Sequence, residues 1–179
     1  MDPSVRIEAA QAEDLPQLAR VERAANRLFV ERGVDGVTAD DVTSLAELAE
    51  AHEAGLLWVA RRASGEPIGF ALLCLADGQP HVEEIDVDPA YGRRGIGRTL
   101  LETALAWARG AGHQRVTLTT FRDLGWNAPF YEKAGFCPLA PDEIGPELAA
   151  IVRDETARGL DPGRRVVMRR NLAGPPPPR

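Results

Sequence analysis

Seven consecutive residues, Gly92 to Arg98, contain three glycines and three arginines and join two segments of different pattern. Residues 81–87 follow a turn and are predicted to form a strand. After the turn, apolar side chains recur at helical spacing, with Ile96, Leu100 and Ala104 on one face. A strand, a glycine-rich turn and a helix in this order present backbone N–H groups at a helix start, which is a common way to bind a phosphate group.

Two readings of this segment stay open on composition alone. Arg93, Arg94 and Arg98 would add charge-assisted donors to a bound phosphate. The same residues also suit a glycine-rich turn with solvated arginines, because short glycine motifs match often by chance. Two common phosphate motifs are excluded. The chain has no Gly-Lys-Ser/Thr triplet of a P-loop, and a dinucleotide fingerprint read from Gly95 meets Leu100 where a small residue is required.

The rest of the chain mixes strands and helices. Strands are predicted at residues 5–7, 56–60, 68–75, 81–87, 115–121 and 165–168. Helices are predicted from about residues 13, 38, 96, 127 and 144. The nearly all-apolar strand at 68–75 predicts that both of its faces are covered. The fold class is therefore α/β or α+β with a mixed sheet, in one domain over residues 1–172, followed by a disordered proline-rich tail at 173–179.

Two blocks of sequence resemble one known family. Residues 87–101, from Val-Asp-Pro to Thr-Leu-Leu, closely resemble the acyl-CoA loop of the GNAT superfamily of N-acetyltransferases, whose pattern is Arg/Gln-x-x-Gly-x-Gly/Ala. Gly95 and Gly97 fit the two small positions, and Gly92 stands where the family has Arg or Gln. Residues 127–136, Asn-Ala-Pro-Phe-Tyr-Glu-Lys-Ala-Gly-Phe, match the second family element. The two blocks follow the family's order and spacing, and the resemblance covers about residues 5 to 171.

The resemblance implies a GNAT-like domain with a strongly twisted mixed sheet and helices on both faces. It implies that acetyl-CoA is the acetyl donor and CoA the product, with pantetheine on the backbone of residues 85–87 between strands that splay apart. Pyrophosphate would lie on the amides of residues 93–98, and Asn127 would contact pantetheine. The implied cofactor-binding residues are Ile85, Asp86, Val87, Arg93, Arg94, Gly95, Ile96, Gly97, Arg98, Asn127, Pro129, Phe130 and Tyr131.

Acetylation of an amine requires a deprotonated amine, a polarised carbonyl and a protonated leaving thiolate. The resemblance places Tyr131 near the thioester sulfur, and a tyrosine, with an ordinary pKa of about 10, is a sensible proton donor to a thiolate. The alternative for Tyr131 is a half-buried aromatic beside Phe130. A backbone N–H near Val87 is expected to polarise the carbonyl.

A carboxylate on the preceding strand is the expected proton acceptor. Glu83 and Glu84 are adjacent, so on a regular strand they point to opposite faces, Glu83 with Ile85 and Glu84 with Asp86. A β-bulge, which the resemblance suggests, would shift this alternation. Either acid is a candidate for catalysis, with Glu83 favoured, and the alternative is that both are solvated. No group of His, Cys, Asp and Glu shows metal-ligand spacing.

Net charge, cysteine content and the N-terminal sequence limit the classes of protein to which this chain can belong. The formal net charge of −6 argues against a nucleic-acid binder and favours a cationic acceptor. Cys74 and Cys137 are too few for a disulfide framework, and both are predicted to be buried. No signal peptide or membrane-spanning run is predicted, so a cytoplasmic location is expected.

Two functions fit these observations. One is an acyl-CoA-dependent N-acetyltransferase that acts on a primary amine of a small molecule or peptide. The other is a non-catalytic acyl-CoA-binding or regulatory module on the same fold. A homodimer is compatible with either.

Overall fold

The computed structural model describes residues 5–172. The strands are β1 Val5–Ala9, β2 Leu57–Arg62, β3 Pro67–Ala76, β4 Gln79–Val87, β5 Arg115–Phe121, β6 Cys137–Pro138 and β7 Arg165–Asn171. The helices are α1 Leu15–Glu31, α2 Leu45–Glu53, α3 Ile96–Gly110, α4 Ala128–Lys133 and α5 Pro146–Ala157. The strands are hydrogen-bonded in the order β1-β2-β3-β4-β5-β7-β6, with parallel and antiparallel pairs. The predicted α/β class with a mixed sheet is confirmed, and the predicted tail at 173–179 lies outside the described residues.

The described chain forms two compact units. Unit one contains residues 5–74 and 83–104, and unit two contains residues 75–82 and 105–172. The chain passes from one unit to the other within β4, whose residues 79–82 belong to unit two and whose residues 83–87 belong to unit one. Each unit is therefore assembled from two separate segments of sequence.

Unit one is built on an antiparallel meander. β1 pairs with β2 along its whole length, and β2 pairs with β3 with a register shift between Ala60 and Arg61. Ile68 and Phe70 of β3 are completely buried. The prediction that both faces of this strand are covered is wrong at its end, because Leu75 is 53% exposed.

The two N-terminal helices form for different local reasons. α1 buries an apolar stripe that includes Leu18 and Val21. The second helix was predicted to start near residues 38–41, and this is wrong because α2 begins at Leu45. Ser44 accepts a hydrogen bond from the Glu47 amide at 3.2 Å, and the Glu47 carboxylate accepts one from the Ser44 amide at 2.9 Å. This capping box fixes the start of the helix.

A buried ion pair ties the start of α1 to β2. Asp14 is completely buried, and its two carboxylate oxygens accept from Arg61 Nη1 at 2.7 Å and Nη2 at 2.6 Å. The Gln11 amide also donates to Asp14 at 2.8 Å. The hydrogen bond from Arg61 to Asp14 is the main cause that raises the pKa of the guanidinium. The buried carboxylate of Asp14 is thus matched by the positive charge of Arg61.

The first part of α3 packs against β3 and β4 in unit one. Its inward residues Leu100, Leu101 and Ala104 are completely buried, as the helical spacing predicts. Gly69 on β3 makes this packing possible. A Cβ there would lie 2.8 Å from the Asp86 carbonyl oxygen and 3.4 Å from a Leu100 methyl group, so any larger residue would force the strands apart.

Unit two contains the remaining strand pairs. The start of β4 pairs in parallel with β5, with His81 opposite Thr117 and Val82 opposite Leu118. β7 pairs antiparallel with β5 over the whole of both strands and with the short strand β6 on its other edge. The side chains of Val116, Leu118 and Met168 form the buried centre of these strands.

The N-terminus of α5 is capped by a residue far away in the sequence. Asp77, in the turn between β3 and β4, accepts from the Glu147 amide at 3.0 Å and from the Leu148 amide at 3.2 Å. Asp77 has a left-handed backbone with φ +52°. A Cβ at Gly145 would collide with the Asp77 carboxylate, so glycine at this position allows the cap to form.

Both predictions of buried cysteines are wrong. Cys74, near the end of β3, is half-buried, and Cys137 on β6 is exposed. Cys137 lies on a two-residue edge strand that the sequence does not predict, and an edge position leaves one side open to solvent.

Candidate functional site

The glycine-rich turn of unit one is shaped by two left-handed residues. Arg93 has φ +61° and Gly95 has φ +81°. α3 begins directly afterwards at Ile96, and the Gly95 carbonyl accepts from the Thr99 amide at 3.0 Å and the Thr99 hydroxyl at 3.1 Å. The first amides of an α-helix have no acceptor within the helix. The turn therefore presents N–H groups at the positive end of a 15-residue helix.

The two glycines that fit the family pattern, Gly95 and Gly97, have different roles. A Cβ at Gly95 would meet no atom within 4 Å, so its requirement is conformational and comes from the positive φ. A Cβ at Gly97 would lie 3.7 Å from a methyl group of Val87 and 3.8 Å from one of Ile85. Ile85 and Val87 therefore point from β4 toward the start of α3, as alternation on a strand requires.

The three arginines of the turn, Arg93, Arg94 and Arg98, are exposed, which is compatible with both readings of the turn. The guanidinium of Arg94 lies 5.6 Å from the centre of the Tyr91 ring, and that of Arg62 lies 5.3 Å from the same ring. Asp88 begins this segment by accepting from the Ala90 amide at 3.0 Å. Within residues 5–172, Arg93 and Arg98 form no ion pair.

The acids of β4 differ in exposure. Glu83 is exposed, Glu84 is half-buried, and Asp86 is 7% exposed. The Asp86 Oδ2 atom is buried without a hydrogen-bond partner. Burial, and then the charge of Glu22, raise the pKa of Asp86 well above the ordinary range of a carboxyl. Sequence reasoning assigned Asp86 a backbone role and missed its side chain.

Glu22 of α1 was also missed, although the sequence contains a signal. It lies seven residues after Leu15 and four after Leu18, which places a carboxylate on the apolar face of the helix. The side chain is buried and accepts from the Thr43 amide at 2.9 and 3.0 Å and from the Thr43 hydroxyl at 3.0 Å. Burial raises the pKa of Glu22, while the hydrogen bonds from Thr43 oppose the shift.

In unit two, Asn127 precedes α4 but does not cap it through its side chain. Instead Asn127 Nδ2 donates to the Thr120 hydroxyl at 3.0 Å, and the Asn127 carbonyl accepts from the Phe130 amide at 2.8 Å. Asn127 Oδ1 is buried without a hydrogen-bond partner. An unused acceptor is thus held in place beside α4.

Tyr131 is held by aromatic neighbours. Its ring meets Phe130 edge-on at 5.0 Å and Phe136 edge-on at 5.8 Å between ring centres, and the residue is half-buried. Edge-to-face packing with two neighbours fixes the orientation of the ring.

His81 of unit two is 1% exposed, and its Nδ1 lies 2.9 Å from the Thr117 hydroxyl oxygen. Burial, and then the charge of Arg165, lower the pKa of His81 to about 4. The imidazole is therefore neutral near pH 7. Among residues 5–172, no cluster of three or more His, Cys, Asp and Glu side chains is arranged to bind a metal ion.

The sequence matches the acetyltransferase (GNAT) family over residues 19–136, more than half of the chain, and this protein belongs to that family. It is 32% identical over 142 residues to a mycothiol acetyltransferase of Propionibacterium freudenreichii subsp. shermanii, an alignment that covers 77% of this chain and 45% of the relative. The chain thus spans less than half the length of this curated relative.

Solved structures share the fold. An N-acetylglutamate synthase of Neisseria gonorrhoeae, complexed with coenzyme A and N-acetyl-glutamate, has a TM-score of 0.71 at 20% identity and covers 97% of this chain and 36% of its own. The PaiA N-acetyltransferase of Thermoplasma acidophilum, in complex with coenzyme A, has a TM-score of 0.66 at 19% identity and covers 94% of this chain and 99% of its own. The predicted family and fold are confirmed. No helix within residues 5–172 is long and apolar enough to cross a membrane.

Proposed function

We propose that this chain is an acetyl-CoA-dependent N-acetyltransferase that acts on a primary amine of a small molecule or peptide. The observation that carries the proposal is the turn of unit one, where left-handed Arg93 and Gly95 lead into the free amides at the start of α3. This turn lies inside the region that matches the GNAT family.

The residues present fit acetyl-CoA chemically. The turn offers backbone donors and three exposed arginines to phosphate oxygens, and the space next to Gly95 is clear of protein atoms. In unit two, the buried Oδ1 of Asn127 is an acceptor without a donor, which suits an amide N–H of pantetheine. The residues proposed to bind the cofactor are Ile85, Asp86, Val87, Arg93, Arg94, Gly95, Ile96, Gly97, Arg98, Asn127, Pro129, Phe130 and Tyr131.

Acetyl-CoA supplies a thioester carbonyl and a thiolate leaving group. We propose that the Tyr131 hydroxyl donates the proton that the leaving sulfur requires, and that the backbone N–H near Val87 polarises the carbonyl. Phe130 and Phe136 support this role for Tyr131 because they fix the ring from two sides.

We propose Glu83 as the proton acceptor, with Glu84 as the alternative. The exposed Glu83 is expected to act through water. Glu83→Gln should therefore lower kcat and move the acidic limb of the pH–rate profile, where a general base becomes protonated. Glu84→Gln, one residue away, is the matched variant and should behave like the parent. A loss confined to Glu84→Gln would reverse the assignment, and two variants with parental kinetics would mean that solvent takes the proton.

The function is tested by release of free thiol from acetyl-CoA with a panel of primary amines, after a shift in Tm has established binding of the donor. Turnover with at least one amine is expected. A shift in Tm without turnover on any amine would favour the alternative, a non-catalytic acyl-CoA-binding module. If acetyl-CoA produces neither a shift in Tm nor release of thiol, acetyl-CoA is not the donor and the proposal is wrong.

The proposal includes two further statements. We place the enzyme in the cytoplasm, which fractionation of cells that express it would test. We also propose a homodimer, for which sedimentation equilibrium of the full chain is the measurement. The negative net charge favours a cationic acceptor over an anionic one.

A further inference from the structure

Unit one buries three acidic side chains, and they differ in how their charge is matched. Asp14 is completely buried and forms a two-point ion pair with Arg61. Glu22 and Asp86 are 3% and 7% exposed, and within residues 5–172 no Arg, Lys or His side chain forms an ion pair with either of them. Burial of a carboxylate without a cation is costly. The burial of Glu22 and Asp86 without an ion pair therefore requires an explanation.

The two unmatched acids act on each other. The charge of Glu22 adds to burial in raising the pKa of Asp86, and Asp41 and Glu47 add further negative charge around Glu22. Glu22 is held in place by the Thr43 amide and hydroxyl. Within residues 5–172 no Arg, Lys or His side chain forms an ion pair with either acid, and the neighbouring charges that raise their pKa values are all negative.

Asp86 is aimed away from α3. Its neighbours Ile85 and Val87 point toward Gly97 at the start of that helix, so alternation on β4 turns Asp86 to the opposite face, on the side of α1. There the Oδ2 atom accepts no hydrogen bond, and hence Glu22 is not bonded to it. A buried acceptor that lacks a donor is a rare and expensive feature in a folded protein.

We propose that Asp86 and Glu22 form a binding subsite for the protonated amino group of the acceptor. A primary ammonium supplies a positive charge, which both acids lack, and N–H donors for Asp86 Oδ2, in one compact group. The inference rests on the proposed N-acetyltransferase function and assigns these residues to positioning the acceptor. The later loss of the proton before attack on the thioester is a separate step.

The kinetic test uses Asp86→Asn, which keeps the shape of the side chain and removes its charge. The KM for the acceptor amine should rise about tenfold or more. The kcat and the Kd for acetyl-CoA should stay within about twofold, because Asp86 is proposed to bind the cofactor through its backbone, which the substitution leaves in place. The Tm of the free protein should not fall, because Asn keeps the shape of the side chain and cannot ionise at this buried position. The matched control is Glu50→Gln, an exposed acid on α2, which should keep the parental KM. An unchanged KM in Asp86→Asn would overturn the proposal.

A binding test separates the subsite from the proposed function. The carboxyl carbon of Asp86 is followed by ¹³C NMR, with the signal assigned by its absence in Asp86→Asn. Added n-butylammonium chloride should move the Asp86 titration midpoint to lower pH, and n-butanol should not. This shift without thiol release on any amine would support the subsite while the proposed function fails. An unmoved midpoint at saturating ammonium would reject the subsite whatever the activity.

Discussion

Asp14 and Asp86 show how strongly the neighbours of a single residue decide its role. Both are aspartates buried in unit one. Arg61 makes Asp14 a structural partner, whereas Asp86 keeps an oxygen without a donor. At the scale of single residues, the features that point to function are the unmatched groups, and the matched groups explain the fold.

Gly95→Val should abolish the rise in Tm that acetyl-CoA produces. A β-branched residue is strained at φ +81°, so the turn must change its shape and its amides lose their arrangement. At a ligand concentration of a hundred times Kd, the parent should gain about 2.7 kcal/mol. Gly110→Ala, at the other end of α3, meets no atom within 4 Å and should keep the full shift. A full shift in Gly95→Val would count against the turn as the phosphate site.

Tyr131→Phe should leave acetyl-CoA affinity unchanged and lower kcat by about 10²- to 10⁴-fold, the usual range for the loss of a general acid. The ring and its contacts with Phe130 and Phe136 remain, so the Tm should be close to that of the parent. Steady-state rates and a thermal titration with acetyl-CoA check the two halves of the prediction. If the kcat of Tyr131→Phe equals that of the parent, Tyr131 has only a packing role.

At the scale of elements, the sequence predicts what is decided locally. The apolar stripe of α3 and the glycine-rich turn before it lie within one short segment of sequence. The predicted helix is present, and the residues of its predicted apolar face are buried. The predicted start of α2 is too early because the apolar Val42 extends the helical pattern to residues that precede the Ser44 capping box. The pairing of Glu22 with Asp86 was missed because 64 positions of sequence separate residues that only the folded chain brings together.

The cap of α5 by Asp77 is another long-range feature that sequence patterns do not reveal. Asp77→Gly keeps the left-handed backbone accessible but removes the acceptor for the Glu147 and Leu148 amides. We expect a loss of about 1 kcal/mol in the free energy of unfolding, typical of a lost N-cap. Asp77→Asn, which retains a capping oxygen, should lose less. Equal stability of the two variants in urea would show that the cap contributes nothing.

At the scale of the whole molecule, His81 should make stability depend on pH. Its pKa is about 4 in the folded chain and about 6.5 when unfolded, so only the unfolded chain takes up the proton between these values. The contribution is complete above pH 6.5 and is lost as the pH falls through 4. Between pH 6.5 and 5 the loss should be about 2 kcal/mol. Urea unfolding of the parent and of His81→Gln should diverge over this range, and parallel curves would contradict the assignment.

The interrupted order of the two units has a consequence for biosynthesis. Translation delivers β1, α1, α2, β2 and β3 first, then eight residues of unit two, and only afterwards the part of unit one that carries α3. Leu100 and Leu101, which fill the core of unit one, are therefore among the last of its residues to be made. While residues 75–95 are being synthesised, α3 does not yet exist and the apolar side of β3 that it will cover is exposed. Exposed apolar surface on a nascent chain favours aggregation and chaperone binding, so we expect both to be most frequent during this interval.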